Sequence, residues 1–414
     1  PRGSPPGAVD RAAFGDPPAG DTGLADASFD ALPSSLCLFF GAGEAPGLAR
    51  AAAPALRARA ARLGLCFATV QSHEFNFTAQ SLTRRGPAAV SWQGQTVSQS
   101  FTRFAAGPTY AMNVDDSLAL GASLHASLAS YRSVFAASAT STGGAAPVSS
   151  IFYAAERGTS AQVDATVGAT YRYARQTLAL AFTSPSLHLH GTGGANEHVH
   201  FEGAGSAAVL RTAKGSFVSR TPARVGVATG IETSWGAAEL DASFHAPTTA
   251  YEADFDSDTV ALSGGQVSEQ RGPTRASSRA RGVVNLAAGA EIFVLPSLSV
   301  LAGVGTDLSA ARPNDPHAFF PTRGQRVLGS FGIGSHGAGG DLLVGGEVSY
   351  AWGDMLAVSS YQLPPAIVTT PHETVRVVLV VAGSTSLRAI RRAVEDVTRV
   401  LEPKPSAPKK TPAK

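Results

Sequence analysis

Four histidines crowd into "HLHGTGGANEHVH": His188, His190, His198 and His200. On a strand, each His-x-His pair would set two imidazoles on one face, a geometry that can hold a metal ion. The same segment also reads as a polar rim around a Gly-rich turn, and no metal is assigned to it. "GIGSHG", Gly332 to Gly337, matches a dinucleotide-binding glycine pattern. That chemistry needs a helix N-terminus behind the glycines, and here a strand follows, so they read as a tight turn. Ser335 adjoins His336, but neighbouring strand residues point to opposite faces, which separates them as a nucleophile and its base. No G-x-S-x-G, H-E-x-x-H or C-x-x-C occurs. The chain therefore reads as a non-enzyme, with no catalytic residue and no cofactor.

The elements that would carry these residues are strands. In "SLALGASLHASLASYR", Leu118, Leu120, Ala122, Leu124, Ala126 and Leu128 fall on one face, and Ala119, Gly121, Ser123, His125, Ser127 and Ala129 on the other. Successive side chains of a strand alternate between faces. The run is about twice the common strand length and suits a tilted membrane strand of roughly 9–11 residues. "AQVDATVGATYRY", "WGAAELDASFH" and "DLLVGGEVSYAW" repeat the pattern. Their polar faces hold Asp164, Arg172, Glu239, Asp241, His245 and Glu347. In a lipid-embedded barrel these face the lumen. There they either pair with one another or line a polar path, with Arg172 best suited to anchor a carboxylate head group.

Composition agrees with this reading. Charged residues are 15% of the 414, against about 25% in soluble domains. The 33 basic and 31 acidic residues nearly balance, which excludes a nucleic-acid field. No apolar run of about 18 residues predicts a membrane helix. Cys37 and Cys66 are either one bridge or two buried thiols. The opening segment has neither an initiator Met nor an apolar signal core.

Tight links are expected near Asp115, Gln176, Ser234, Pro296 and Gly339. Long polar segments at about 135–160, 185–216, 247–280, 310–323 and 353–371 read as loops. Short turns on one side and long loops on the other are the outer-membrane barrel arrangement. We therefore expect an all-β transmembrane antiparallel barrel of 12–14 strands over 61–384. An N-terminal plug over 1–60 precedes it. An amphipathic helix over 385–402 follows, with Leu387, Ile390, Val394, Val397 and Leu401 on one face. A disordered Pro/Lys-rich tail ends the chain at 403–414.

Several hairpins, "FAAGPTYAMNVDDSLALGASLHASLASYR", "VGATYRYARQTLALAFTSPSLHLHG" and "RVLGSFGIGSHGAGGDLLVGGEVSYAWGD" among them, resemble those of the FadL-type outer-membrane transporters. The resemblance implies a bacterial outer-membrane location and passive uptake of hydrophobic small molecules such as long-chain fatty acids. The family's plug carries an Asn-Pro-Ala element that "DALPSSLCLFF" lacks. The ligand-binding residues expected are Leu36, Leu38, Phe39 and Phe40, too apolar for water and too irregular for lipid, together with Arg172. The first four either line a lumen pocket or pack the plug against the wall. The partners expected are the hydrophobic ligand and membrane lipid, around a monomer. The competing reading is a structural or adhesion barrel whose loops bind a partner.

Overall fold

The computed structural model describes residues 35–41, 61–85, 89–142, 148–203, 205–310, 322–337, 340–359 and 366–385. Every regular element among them is a strand. The first five are β1 (Ser35–Gly41), β2 (Arg62–Arg85), β3 (Ala89–Asn113), β4 (Leu118–Thr142) and β5 (Val148–Tyr173). Next come β6 (Gln176–Thr183), β7 (Leu187–Glu202), β8 (Ala207–Ser219), β9 (Arg224–Glu232), β10 (Gly236–His245) and β11 (Thr248–Ser263). The last six are β12 (Gln266–Ala280), β13 (Val283–Leu295), β14 (Leu298–Asp307), β15 (Thr322–Gly337), β16 (Gly340–Ser359) and β17 (Ala366–Thr385).

All ladders are antiparallel, and consecutive passes pair. Four passes are split into collinear halves. β6 and β7 both pair with β5. β9 then pairs with β6 and β8 with β7, while β10 pairs with β9 and β11 with β8. β13 and β12 close the series against β10 and β11. Joining the halves leaves twelve passes besides β1, within the range the alternation predicts. The interruptions are Ser184–Ser186, Arg220–Ala223, Ala246–Pro247 and Arg281–Gly282. Three contain proline, which has no amide to give a ladder.

The interruptions divide the sheet into two tiers. The lower tier carries the exposed belt: Leu124 and Leu128 on β4, Leu178 and Leu180 on β6, Leu240 on β10, Leu286 on β13, and Val377 and Leu379 on β17. On β4 the belt runs from Leu118 to Leu128, about 26 Å of height at a 40° tilt, close to the apolar band of a membrane barrel. Aromatic side chains flank it. Tyr171, Tyr173 and Trp235 sit toward the short-turn end, and Phe182, Phe244 and Trp352 at the other. Such girdles mark the two interfaces of a bilayer. The inner face carries the predicted polar set. His125 meets Asp164 at 3.4 Å, and Ser123 bonds Thr109.

The turns at Asp115, Gln176, Ser234 and Pro296 all lie at one end. Asp115 closes the first by accepting hydrogen bonds from the Ser117 amide and hydroxyl and the Leu118 amide. Those bonds hold its carboxyl below the usual carboxylate range. Gly339 lies outside the described residues.

Two expectations need correction. The segments 135–160, 185–216 and 247–280 are not long loops. They are the upper tier, in which β4, β5, β7, β8, β11 and β12 continue as strands beyond the belt. Above lipid the outer face is released from being apolar, so the hydrophobic period fades while the ladder persists. The tip between β11 and β12 is only Gly264 and Gly265, at φ 59° and 81°, a conformation that glycine adopts without strain. Within the expected plug, residues 35–41 form β1, an added strand on β2 stapled through Cys37–Cys66. The remainder of 1–60, the expected helix and the tail lie outside the described residues.

The belt generates a paired test. Leu124 is 52% exposed on the outer face, and Ser123 faces inward. Leu124→Arg should cost roughly 2–4 kcal/mol of folded stability in a bilayer, and Ser123→Arg much less. The heat-dependent gel shift of the refolded barrel reads the difference, and equal tolerance would refute a lipid-facing belt.

Candidate functional site

The lumen of the upper tier is the most built interior in the molecule. At its floor, level with the strand interruptions, lies a septum of polar side chains. Arg103 on β3 is buried and donates to Ser219 Oγ at 2.8 Å. Gln162 on β5 is fully buried. With its amide oxygen turned to Arg103, it accepts from Nε at 3.0 Å and donates to the Ser219 carbonyl at 2.9 Å. Ser160 bonds the Ser219 amide and His188 Nδ1. Ser186, in the first interruption, accepts from the Thr221 amide in the second at 2.8 Å. The interruptions thus expose backbone groups that the septum side chains satisfy, as buried polar groups require.

Above the septum sits an aromatic layer. Phe101, Tyr131, Phe217 and Tyr251 come from β3, β4, β8 and β11 and share one buried cluster. Tyr131 and Phe217 stack at 6.0 Å between centroids, and Phe217 meets Tyr251 edge-on at 5.3 Å. β4 and β11 are four ladders apart, about 19 Å along a flat sheet, yet Tyr131 and Tyr251 lie 6.4 Å apart. The sheet is therefore curled into a barrel whose opposing walls touch here. Gly158 makes room for Phe217: a Cβ there would lie 2.3 Å from the ring.

Above the rings is a recess of about 180 Å³ lined by Ala195, Ala213, Ala253, Phe255 and Ala276, with Glu156 at its edge. Tyr251 donates to Glu156, whose carboxyl is pushed up by burial, with the tyrosine bond opposing the rise. Arg211 and Glu197 pair at 3.5 Å over the recess, and Arg211 also donates to Thr274. Beyond this pair a more polar vestibule of about 330 Å³ opens, lined by Val209, Ser257, Thr259 and Gln270. The arrangement is a cup: polar mouth, ion-paired neck, apolar recess, aromatic floor.

The residues expected to bind ligand are elsewhere. Leu36 and Leu38 pair with Phe67 and Leu65 and are exposed with them on the outer face. The lumen shelter expected for Leu36 and Leu38 is thereby corrected, because the inner side of β1 belongs to Cys37. Phe39 and Phe40 lie on β1 opposite Gly64 and Leu63, and their side chains fall outside the described set. Arg172 faces the lumen at the short-turn mouth, exposed and far from the cup. The first His-x-His pair is split by a bulge. His188 opposes the inward Gln162, while His190 opposes the outward Ala161. His198 and His200 do share the outer face, opposite Tyr153 and Ile151. No metal-holding group of three side chains occurs among the described residues.

A second cluster was not legible in the sequence. Ser299 Oγ lies 2.9 Å from His336 Nε2, and His336 Nδ1 lies 3.2 Å from Asp341. The spacing imitates a hydrolase triad. Glu291 defeats it. Its carboxylate accepts from Ser299 at 2.6 Å and lies 3.0 Å from the same Nε2. The serine proton is already given to Glu291, so the hydroxyl is not presented to the imidazole as a nucleophile's would be, and Ser299 is fully buried. With Ser384 donating to Asp341, the cluster ties β13 through β17 together at the short-turn end. Its members are far apart in sequence, and only strand register unites them.

No family model matches the chain, and no curated protein matches its sequence. Among solved structures, its fold is similar to that of a FadL homologue from Pseudomonas aeruginosa, at 12% identity over 78% of this chain and 77% of that one (TM-score 0.44). The toluene transporter TodX of P. putida gives 9% identity over 79% of each chain (TM-score 0.47). The toluene transporter TbuX of Ralstonia pickettii gives 11% over 78% and 80% (TM-score 0.42). Likeness at this level bears on neither ligand nor activity.

Two outcomes test the cup's construction. Phe217→Ala should destabilise the upper tier by about 3–5 kcal/mol, read as faster proteolysis of the tier while the belt stays protected. The raised carboxyl of Glu156 contributes most to stability while protonated, so stability should fall as pH rises through its folded pKa. Glu156→Gln should flatten that decline in a melting series.

Proposed function

We propose that this chain is an outer-membrane barrel that captures small hydrophobic molecules from outside the cell in the cup above its belt. The belt and its aromatic girdles support the membrane location. The short turns would face the periplasm and the upper tier the medium. The observation that carries the capture reading is the apolar recess beneath a polar, ion-paired neck. Binding sites are typically apolar with a few polar groups that fix orientation.

Size bears on the ligand class. A dry cavity of about 150 Å³ accommodates benzene, so the 180 Å³ recess suits a single ring or a short branched chain better than an extended fatty acid. Glu156 and Arg211 would orient a polar substituent. We read no chemistry on the ligand, and uptake by such a barrel is passive.

A second reading, a non-transporting structural or adhesion barrel, is favoured by one observation: the aromatic layer and septum fill the lumen beneath the recess. Under that reading the cup is solid support for the upper tier.

Filling the recess separates the two. Ala253→Phe places a ring among Ala195, Ala213 and Ala276. It should reduce binding of a monoaromatic probe to the refolded barrel at least tenfold, measured by calorimetry, while the folded gel band persists. A parent protein that binds no apolar probe would transfer the argument to the structural reading.

A further inference from the structure

On the outer face, from the top of the belt upward, three neighbouring strands, joined by a fourth at the third layer, present three layers in register. The lowest is Leu128, Ala161 and His190. The next is Ser130, Thr159 and Thr192, all hydroxyls. The third is Arg132, Arg157, Gly194 and Lys214. The three cations are exposed. No ion pair among the described residues engages any of them. Asp256 follows Lys214 on β11 and bounds the row.

We propose that this patch binds the phosphate groups of a phosphorylated, acylated saccharide lipid of the outer leaflet. The inference rests on the membrane location proposed above. Like charges set directly opposite each other on adjacent strands destabilise a sheet, and Arg132 opposes Arg157 with no carboxylate between them. A bound anion reverses the sign of that interaction. Arginine forks suit phosphate oxygens.

Gly194 leaves a notch between Arg157 and Lys214. A Cβ there would approach the Ala213 carbonyl to 2.8 Å, so close packing and the notch go together. Height fits as well. Arg132 lies four residues beyond Leu128, about 10 Å up at the strand tilt, and a side chain reaching back about 6 Å meets the head-group layer. Acyl chains would then lie on the leucine layer, sugar hydroxyls on the Ser/Thr layer and phosphates on the cations. The pairs Arg271–Asp258 and Arg275–Asp254 on the neighbouring hairpin show the contrast, since each cation there already has its carboxylate.

The test uses the full chain refolded into phospholipid bilayers, with folding checked by the heat-dependent gel shift. Binding of bisphosphorylated lipid A is compared with that of its dephosphorylated form. The triple variant Arg132→Gln, Arg157→Gln, Lys214→Gln should bind the phosphorylated lipid about a hundredfold more weakly, roughly fivefold per cation. Arg271→Gln with Arg275→Gln should bind as the parent does. Arg132→Lys with Arg157→Lys should keep most of the affinity and serves if the triple variant misfolds. Equal binding by a folded triple variant and the parent overturns the proposal and leaves the membrane reading standing. Displacement of the lipid by millimolar inorganic phosphate would reduce the patch to a free-anion site and overturn the lipid assignment. A parent that never enters the bilayer overturns both.

Discussion

A strand has two faces and no more, and in lipid every backbone amide must find its partner in a neighbouring strand. Much of the structure follows from that pairing of constraints. Each pass through the belt gives alternate residues to lipid, so the intervening ones alone must furnish the lumen. On β4 this yields Leu124 outside and His125 inside, the latter beside Asp164 of the next strand. A side chain cannot be moved inward without moving its neighbours outward. The protein breaks the rule locally at Leu189, where one extra residue sends His188 and His190 to opposite faces.

Where lipid ends, one of the two demands is lifted. Arg132, Arg157 and Thr159 replace leucine and valine on the outer face, while the inner face keeps its packing. The interruptions at Ser184–Ser186, Arg220–Ala223, Ala246–Pro247 and Arg281–Gly282 fall at that boundary on four successive passes. Around the second, the Ser219 amide and carbonyl and the Thr221 amide are taken up by Ser160, Gln162 and Ser186, while the amides of Ala246 and Arg281 at the last two find backbone carbonyls. The cup is therefore a consequence of the boundary. Its floor holds the side chains that heal the second break, and its walls are the strands that continue past the breaks.

The lower tier is legible in the sequence because lipid writes a strong period into it. Leu118 to Leu128 and their inward partners were assignable residue by residue. The upper tier was missed because its outer face has no single chemistry, so strands such as Ser133–Thr142 look like polar loop. Leu36 and Leu38 look too apolar for water and sit in a segment that looks too irregular for lipid, which points either to a lumen pocket or to packing of the plug against the wall. Their partners Phe67 and Leu65 decide the face, and pairing register is not written in composition. The same gap hid Ser299, His336 and Glu291, which only the register of three adjacent strands brings together. It hid Tyr131, Phe217 and Tyr251 as well, because no local pattern reports a contact across a lumen.

The bridge between Cys37 and Cys66 spans a sequence separation of only 29 residues and joins the first described strand to the next. Both partners precede the other described strands in any machinery that translocates the chain from N- to C-terminus. An oxidising compartment could therefore seal this hairpin before the rest of the sheet is delivered. The N-terminal edge of the sheet would then reach the membrane as a prefabricated pair of strands. Assembly would acquire a defined beginning, and a reductant would act on biogenesis rather than on the finished molecule.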